Sequence, residues 1–159
     1  MGTINQSEIT DLANRMIAIR TMIDSDHMKI IFQKITLAEY STLKRIFPAM
    51  DKSCVEEKLY LQDLTQVLNY SVQQTSRLVQ ALQGKGYVYW EHDKKGTYVR
   101  LTEHGLEIMC EQQKLLIKYF EQVIDRVSKE RFIAIMDEMR AIEQIMEEEA
   151  LIFEEKQAK

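Results

Sequence analysis

Glycine and proline are scarce: five glycines and the single Pro48 in 159 residues. A chain with so few turn-formers and helix-breakers is expected to be built from long helices. Cysteine is scarcer than a disulfide scaffold needs. Cys54 and Cys110 stand far apart, with no metal-type spacing, so nothing points to an oxidising compartment. No stretch comes near the roughly 18 consecutive apolar residues of a membrane span, and the start lacks the basic-then-apolar layout of a secretion signal. A soluble, cytoplasmic protein without membrane contact is expected. Basic charge is in deficit too, with 21 Lys and Arg against 25 Asp and Glu and a net charge of −4; this excludes a general polycation that coats nucleic acid. Catalytic signatures are missing: there is no phosphate-cradling glycine loop, no Ser/His/Asp arrangement and no His-Glu-x-x-His. Neither enzymatic activity nor a cofactor is expected.

What the chain has is helical periodicity. Ile9, Leu12, Met16, Ile19 and Ile23 form one apolar stripe on a helix from about Ser7 to beyond Asp24. Thr36 and Glu39 have capping-box spacing and open a second helix, which carries Leu37, Tyr40, Leu43, Ile46 and Phe47 inward and ends before Pro48. Asp51 to Lys58 reads as a loop. Thr102 opens a further helix, and Ser128 caps the last, whose stripe is Phe132, Ile135, Met139, Ile142, Met146 and Phe153.

The centre has a different character. Leu61, Leu64 and Leu68 give a short helix, Asn69 and Tyr70 a turn, and Ser71 with Gln74 a second capping box. The helix that follows places Thr75, Leu78, Val79 and Leu82 on one side, and Gly84 and Gly86 close it. Tyr87 to His92 and Thr97 to Leu101 then read as two strands joined by a turn at Asp93-Lys94-Lys95-Gly96. Two short helices joined by a tight turn, then a hairpin, describe a winged helix-turn-helix.

The fold class is therefore mainly α with a minor β part. Residues 1–35 form an N-terminal dimerisation region, residues 36–101 the winged lobe, and residues 102–159 a linker and C-terminal dimerisation helices. A recognition helix must be polar outside to enter the roughly 12 Å major groove of DNA. With Ser71 as cap, Gln73, Gln74, Ser76, Arg77 and Gln80 lie outward; Gln can pair with adenine and Arg with guanine. Lys85, Lys94, Lys95 and Arg100 are candidates for backbone phosphates. From Ser71 to Leu101 five basic residues face two acidic ones, a local +3, whereas Ser128 to Lys159 carries −4. The cationic charge is concentrated in the winged segment.

Ser71-Val72-Gln73-Gln74-Thr75-Ser76-Arg77-Leu78-Val79, Gly86-Tyr87-Val88, Asp93-Lys94-Lys95 and Leu101-Thr102-Glu103-His104-Gly105, in this order, resemble the MarR family of transcriptional regulators. The resemblance covers nearly the whole chain. It implies a homodimer with intertwined terminal helices on a pseudo-palindromic double-stranded operator, usually a repressor relieved by a small ligand or oxidant. The wing is shorter than is usual, and Lys94 and Lys95 stand where arginines are common, offering point charges in place of bidentate forks. A PadR-type regulator and a winged-helix module for protein contacts are the alternatives; the long first helix and the Leu-Thr-x-x-Gly favour MarR.

The terminal stripes, Ile9, Leu12, Met16, Ile19, Ile23 and Phe132, Ile135, Met139, Ile142, Met146, repeat near 3.5, the spacing of helices packed along a seam. Dimerisation through them is expected, with core packing inside one subunit as the alternative. The resemblance also implies an effector pocket that Met16, Tyr40, Phe47 and Tyr119 would line. The same residues also fit simple core. No metal site is expected: His27, His92 and His104 are the only histidines, and His104 with Glu107 and Glu111 is a thin ligand supply.

Overall fold

The computed structural model describes residues 6–23 and 29–157, without the side chains of residues 20–23, 155 and 157. The described elements run α1 (Gln6–Ile23), α2 (Leu37–Ile46), α3 (Ser53–Glu56), β1 (Leu59–Tyr60), α4 (Leu61–Leu68), α5 (Val72–Gly84), β2 (Val88–Asp93), β3 (Gly96–Leu101), α6 (Glu103–Val127) and α7 (Lys129–Gln157). The continuation of α1 past Asp24, His27 and the side chain of Ile23 lie outside what is described. The chain divides into two compact units at Leu116–Ile117, within α6.

In the first unit both capping boxes form reciprocally. Thr36 Oγ1 accepts from Glu39 N at 3.2 Å while Glu39 Oε2 accepts from Thr36 N at 3.0 Å. Ser71 and Gln74 repeat this at 3.2 and 2.9 Å. Each box satisfies two N–H groups that a helix start leaves open. Asn69 ends α4 in the left-handed conformation, φ 53°, which an Asn tolerates better than most side chains. The chain can then reverse into α5 within three residues.

Leu64 and Leu68 from α4, Thr75, Val79 and Leu82 from α5, and Leu43, Ile46 and Phe47 from α2 are buried together with Val88, Val99 and Leu101 of the wing. Ile108 and Met109 of α6 are buried with them. The segment ahead of α2 is tied to α6: Gln112, only 3% exposed, donates from Nε2 to Ile31 O at 3.2 Å, and Lys34 pairs with Glu111 at 2.8 Å.

Two features depart from the sequence reading. The loop expected from Asp51 to Lys58 contains the single helical turn α3, with Cys54 fully buried. Leu59 and Tyr60, for which no strand is expected, form β1, an edge strand paired antiparallel with Val99 and Tyr98. The sheet order is β1-β3-β2. Four helical residues show no periodicity and two strand residues no alternation, so neither announces itself locally. The wing turn falls where it is expected: Asp93 and Gly96, the ends of the four-residue turn, pair across the hairpin and leave Lys94 and Lys95 as the two-residue loop.

The second unit holds the later part of α6 and α7. Tyr119 meets Phe120 edge-on at 5.4 Å, and Phe120 meets Phe132 at 6.3 Å. Ser128, at φ 80°, joins the helices. Its Oγ accepts from Arg131 N at a long 3.4 Å. No described helix is long and apolar enough to cross a membrane.

Candidate nucleic-acid interface

The sequence pattern of α5 resolves into two faces. Thr75, Val79 and Leu82 are fully buried, while Gln73, Arg77 and Gln80 are exposed and Ser76 is half-buried. Among the described residues, the side chains of Gln73, Arg77 and Gln80 have no partner. They are available to a ligand without first breaking a bond.

Gln74 differs from these three. Its Oε1 already accepts from Ser71 N, so what it presents outward is chiefly its NH₂ donor. A donor alone serves guanine O6 or N7, or thymine O4, but not the paired donor and acceptor of adenine.

At the far end of α5, Gly86 adopts φ +74° and its N–H reaches Gln83 O at 2.8 Å. Such a left-handed exit favours glycine. Lys85 is turned back into the lobe and pairs with Glu39 at 2.6 Å. Burial pushes the Glu39 carboxyl up, but the Lys85 ammonium and the Thr36 N–H together hold it below its ordinary value. Lys85, expected to meet DNA phosphate, is thus paired with Glu39 of α2 in the free chain while its side chain stays partly exposed.

The wing is braced along one face. Residues i and i+2 of a strand share a face, which places Tyr89, Glu91 and Asp93 of β2 with Tyr98 and Arg100 of β3 and Tyr60 of β1. Asp93 Oδ1 accepts from Lys95 N at 2.9 Å, and its Oδ2 accepts from Lys58 Nζ at 3.0 Å and Tyr60 Oη at 3.1 Å. The Lys95 backbone N–H and the Lys58 ammonium hold the Asp93 carboxyl below its ordinary range. Lys58 also lies 4.3 Å from the centre of the Tyr98 ring, a cation–π contact. Tyr98 Oη donates to Glu91 at 2.9 Å. Arg100 sits 3.7 Å from Glu91 and lies over the Tyr89 ring at 4.8 Å.

Arg100 is therefore a member of this brace, while Lys94 and Lys95 are exposed at the tip. Lys58 and Tyr60 were missed by sequence reasoning because their partners lie in the wing, more than thirty positions on.

A clamp joins the wing to α6. Thr102 Oγ1 donates to Gly86 O at 2.7 Å and lies 3.1 Å from Tyr87 O, while Thr102 N donates to Tyr87 O at 3.0 Å. The same hydroxyl accepts from Gly105 N at 2.8 Å, capping α6. A Cβ at position 105 would collide with Tyr87 O and lie 2.9 Å from Leu101 Cδ1. This gives the Leu-Thr-x-x-Gly pattern a physical meaning: a clamp and a close approach.

An open groove of about 590 Å³ runs past the wing base, with Gln83, Tyr89, Arg100 and His104 on its walls. Its lining shares no residue with the expected effector set. Of that set, Phe47 is core at 1% exposure, Tyr40 packs on Phe32 at 5.9 Å with its phenol pushed up by burial, Met16 is exposed on α1 and Tyr119 is exposed on α6. The two terminal stripes expected to dimerise are uncovered in the single chain: Ile9, Leu12, Met16 and Ile19 of α1 and Ile135, Ile142 and Met146 of α7 are exposed, with Phe132 and Met139 half-buried. Ile133, Met136, Ile145, Leu151 and Ile152 widen the apolar face of α7 beyond the expected stripe. His104 lies 3.9 Å from Glu107, but Glu111 is drawn away to Lys34. Among the described residues no three His, Cys, Asp or Glu side chains converge on a metal-sized site.

Residues 55–105 match the family model described as a winged helix DNA-binding domain. The chain is similar in structure to a MarR family protein from Bacillus stearothermophilus, with 19% identity, a TM-score of 0.67, and 91% of this chain and 99% of that one covered. It is also similar to Streptococcus pneumoniae FabT, solved in complex with DNA, with 17% identity, a TM-score of 0.63 and the same coverages. Bordetella bronchiseptica BpsR, whose DNA binding is regulated by 6-hydroxynicotinic acid, is similar at 16% identity and a TM-score of 0.62, over 89% of this chain and 99% of that one. No curated protein sequence matches the chain. At these identities the likeness shows the fold, and the fold is the mainly α, winged-helix one of MarR proteins along nearly the whole chain, as the resemblance implied.

Proposed function

We propose that this chain, a winged-helix protein with the MarR fold, is a transcription regulator that binds a pseudo-palindromic operator as a homodimer, acts as a repressor, and is released by a small-molecule effector. One observation carries the DNA-binding reading. The capped helix α5 presents Gln73, Arg77 and Gln80 unpartnered from a winged helix DNA-binding domain, and Lys94 and Lys95 stand free at the wing tip.

Base edges would be read by these α5 side chains with Gln74 as a donor and Ser76 at the margin, and Ser71 would help hold the helix end against phosphate. Lys94 and Lys95 would neutralise phosphates. Lys85 and Arg100, drawn into Glu39 and the wing brace, serve mainly to shape the head. The likeness to FabT, solved with DNA, supports this use of the fold.

Dimerisation is supported by the exposed aliphatic side chains along α1 and α7, because apolar surface left open in rows of this kind marks interaction sites. A two-fold pair would present two α5 helices to half-sites about one helical turn apart. Effector release is supported by the likeness to BpsR. It works by differential affinity: a ligand that prefers the dimer with wrongly spaced helices lowers DNA affinity by that preference.

The test is selection of bound duplexes from a random library. A two-fold symmetric consensus is expected, and Arg77→Ala should weaken binding to it by about 1–3 kcal/mol. A library that yields no enriched duplex would overturn the reading.

A further inference from the structure

We propose that Val72 reads the 5-methyl group of a thymine in the major groove and is a specificity-determining residue beside the polar side chains of α5. The inference rests on the DNA-binding reading above and concerns which base is chosen.

Val72 is the first residue of α5, directly after the capping Ser71. By helical spacing it belongs to the stripe of Thr75, Val79 and Leu82, all three with no exposed surface. Yet Val72 itself is 59% exposed. The stripe runs past the edge of the core, and its last member emerges at the helix tip.

The described lobe leaves most of this valine uncovered. A β-branched side chain is a poorer helix former than Ala, Glu or Gln, and more than half of its surface remains in water. Its burial awaits a partner. The place identifies that partner, because N-terminal residues of a recognition helix are the ones that meet base edges when a helix-turn-helix docks. Gln73, next in the chain, is exposed and unpartnered, so the tip offers an apolar group beside a base-pairing amide. Of the four bases only thymine carries an apolar group in the major groove, its C5-methyl. An apolar tip residue therefore selects thymine, and repels the cytosine amino group by leaving it unpaired.

Uracil provides the test, since it pairs as thymine does and lacks only that methyl. Duplexes enriched from a random library are resynthesised with uracil replacing thymine at one position of each half-site in turn, and affinities are measured at one salt concentration. The full-length protein should bind about fourfold more weakly per methyl removed at one position, the worth of one methyl group taken from water. In Val72→Ala, whose single methyl reaches less far, that penalty should shrink while penalties elsewhere persist, and Val72→Ile should retain it. A circular dichroism melt matching the unaltered protein shows that the variant is folded, as an exposed residue leads one to expect.

Uracil bound as tightly as thymine at every position, or a penalty undiminished in Val72→Ala, overturns the proposal and leaves the DNA-binding reading standing. Absence of any enriched duplex overturns that reading, and this one with it.

Discussion

Replacing Gly105 by Ala adds one carbon at the point where α6 meets the wing, and the lobe should lose about 2–4 kcal/mol of stability. Gly105 is in the first turn of α6. A Cβ there would overlap Tyr87 O and come within 2.9 Å of both Tyr87 C and Leu101 Cδ1. The obstacle is backbone, which cannot rotate away as a side chain can. Against the clash stands the helix preference for Ala over Gly, about 1 kcal/mol at most. Overpacking a tight site costs about 1–3 kcal/mol. Relief by swinging the Tyr87 carbonyl away gives up its bonds from Thr102 N and Oγ1, each worth about 1 kcal/mol. Gly84→Ala is the internal control: it is also helical, with open space around its Cβ, so it should be neutral or stabilising by up to about 1 kcal/mol. Urea unfolding at one fixed protein concentration, with m-values compared, measures both. A Gly105→Ala midpoint equal to or above that of the unaltered protein would refute the close-approach argument, since the same substitution is asked to act in opposite directions at two glycines.

Thr75 is fully buried and its Oγ1 has no hydrogen-bond partner among the described residues; Thr75→Val should raise stability by about 1 kcal/mol, and a lower urea midpoint would contradict the reading. Glu39 titrates below its ordinary value when folded. The stability it contributes is therefore complete above its unfolded pKa and is lost as pH falls through the folded one. In Glu39→Gln the acid limb of a thermal-melt series should flatten, and an unchanged limb would remove the Lys85 pair as its source. Lys94→Ala with Lys95→Ala should flatten the dependence of log affinity on log salt by about two phosphate contacts; an identical slope in binding titrations would show that the wing tip does not touch the backbone.

Much of the fold could be read locally. The two capping boxes were visible as Thr36 with Glu39 and Ser71 with Gln74, because a cap and its reciprocal partner are always three residues apart. The inner stripe of α5 was visible for the same reason. What could not be read were contacts across sequence distance. Leu59 and Tyr60 become a strand only because Val99 and Tyr98 are there to pair with them. Lys85 and Arg100 looked like free cations, since Glu39 lies 46 residues away from the first and the strand register that brings Glu91 to the second is set by the tight wing turn. Charge along a sequence is therefore a poor guide to charge available at a surface. Of the cations assigned to DNA, Arg77, Lys94 and Lys95 keep theirs unpaired among the described residues.

Tyr60 has two duties: it is the last residue of β1 and, at φ −74° and ψ 152°, the cap position of α4. With no residue between strand and helix, there is no slack in the chain from the wing sheet to the helix pair. Hinges require bonds free to rotate, and here each backbone unit is committed to a ladder or a helix. The wing and α4 accordingly behave as parts of one tool; under the proposed DNA-binding reading a bent or twisted duplex would be met by turning the whole head, and in the proposed dimer the spacing between two heads would be the quantity on which control acts.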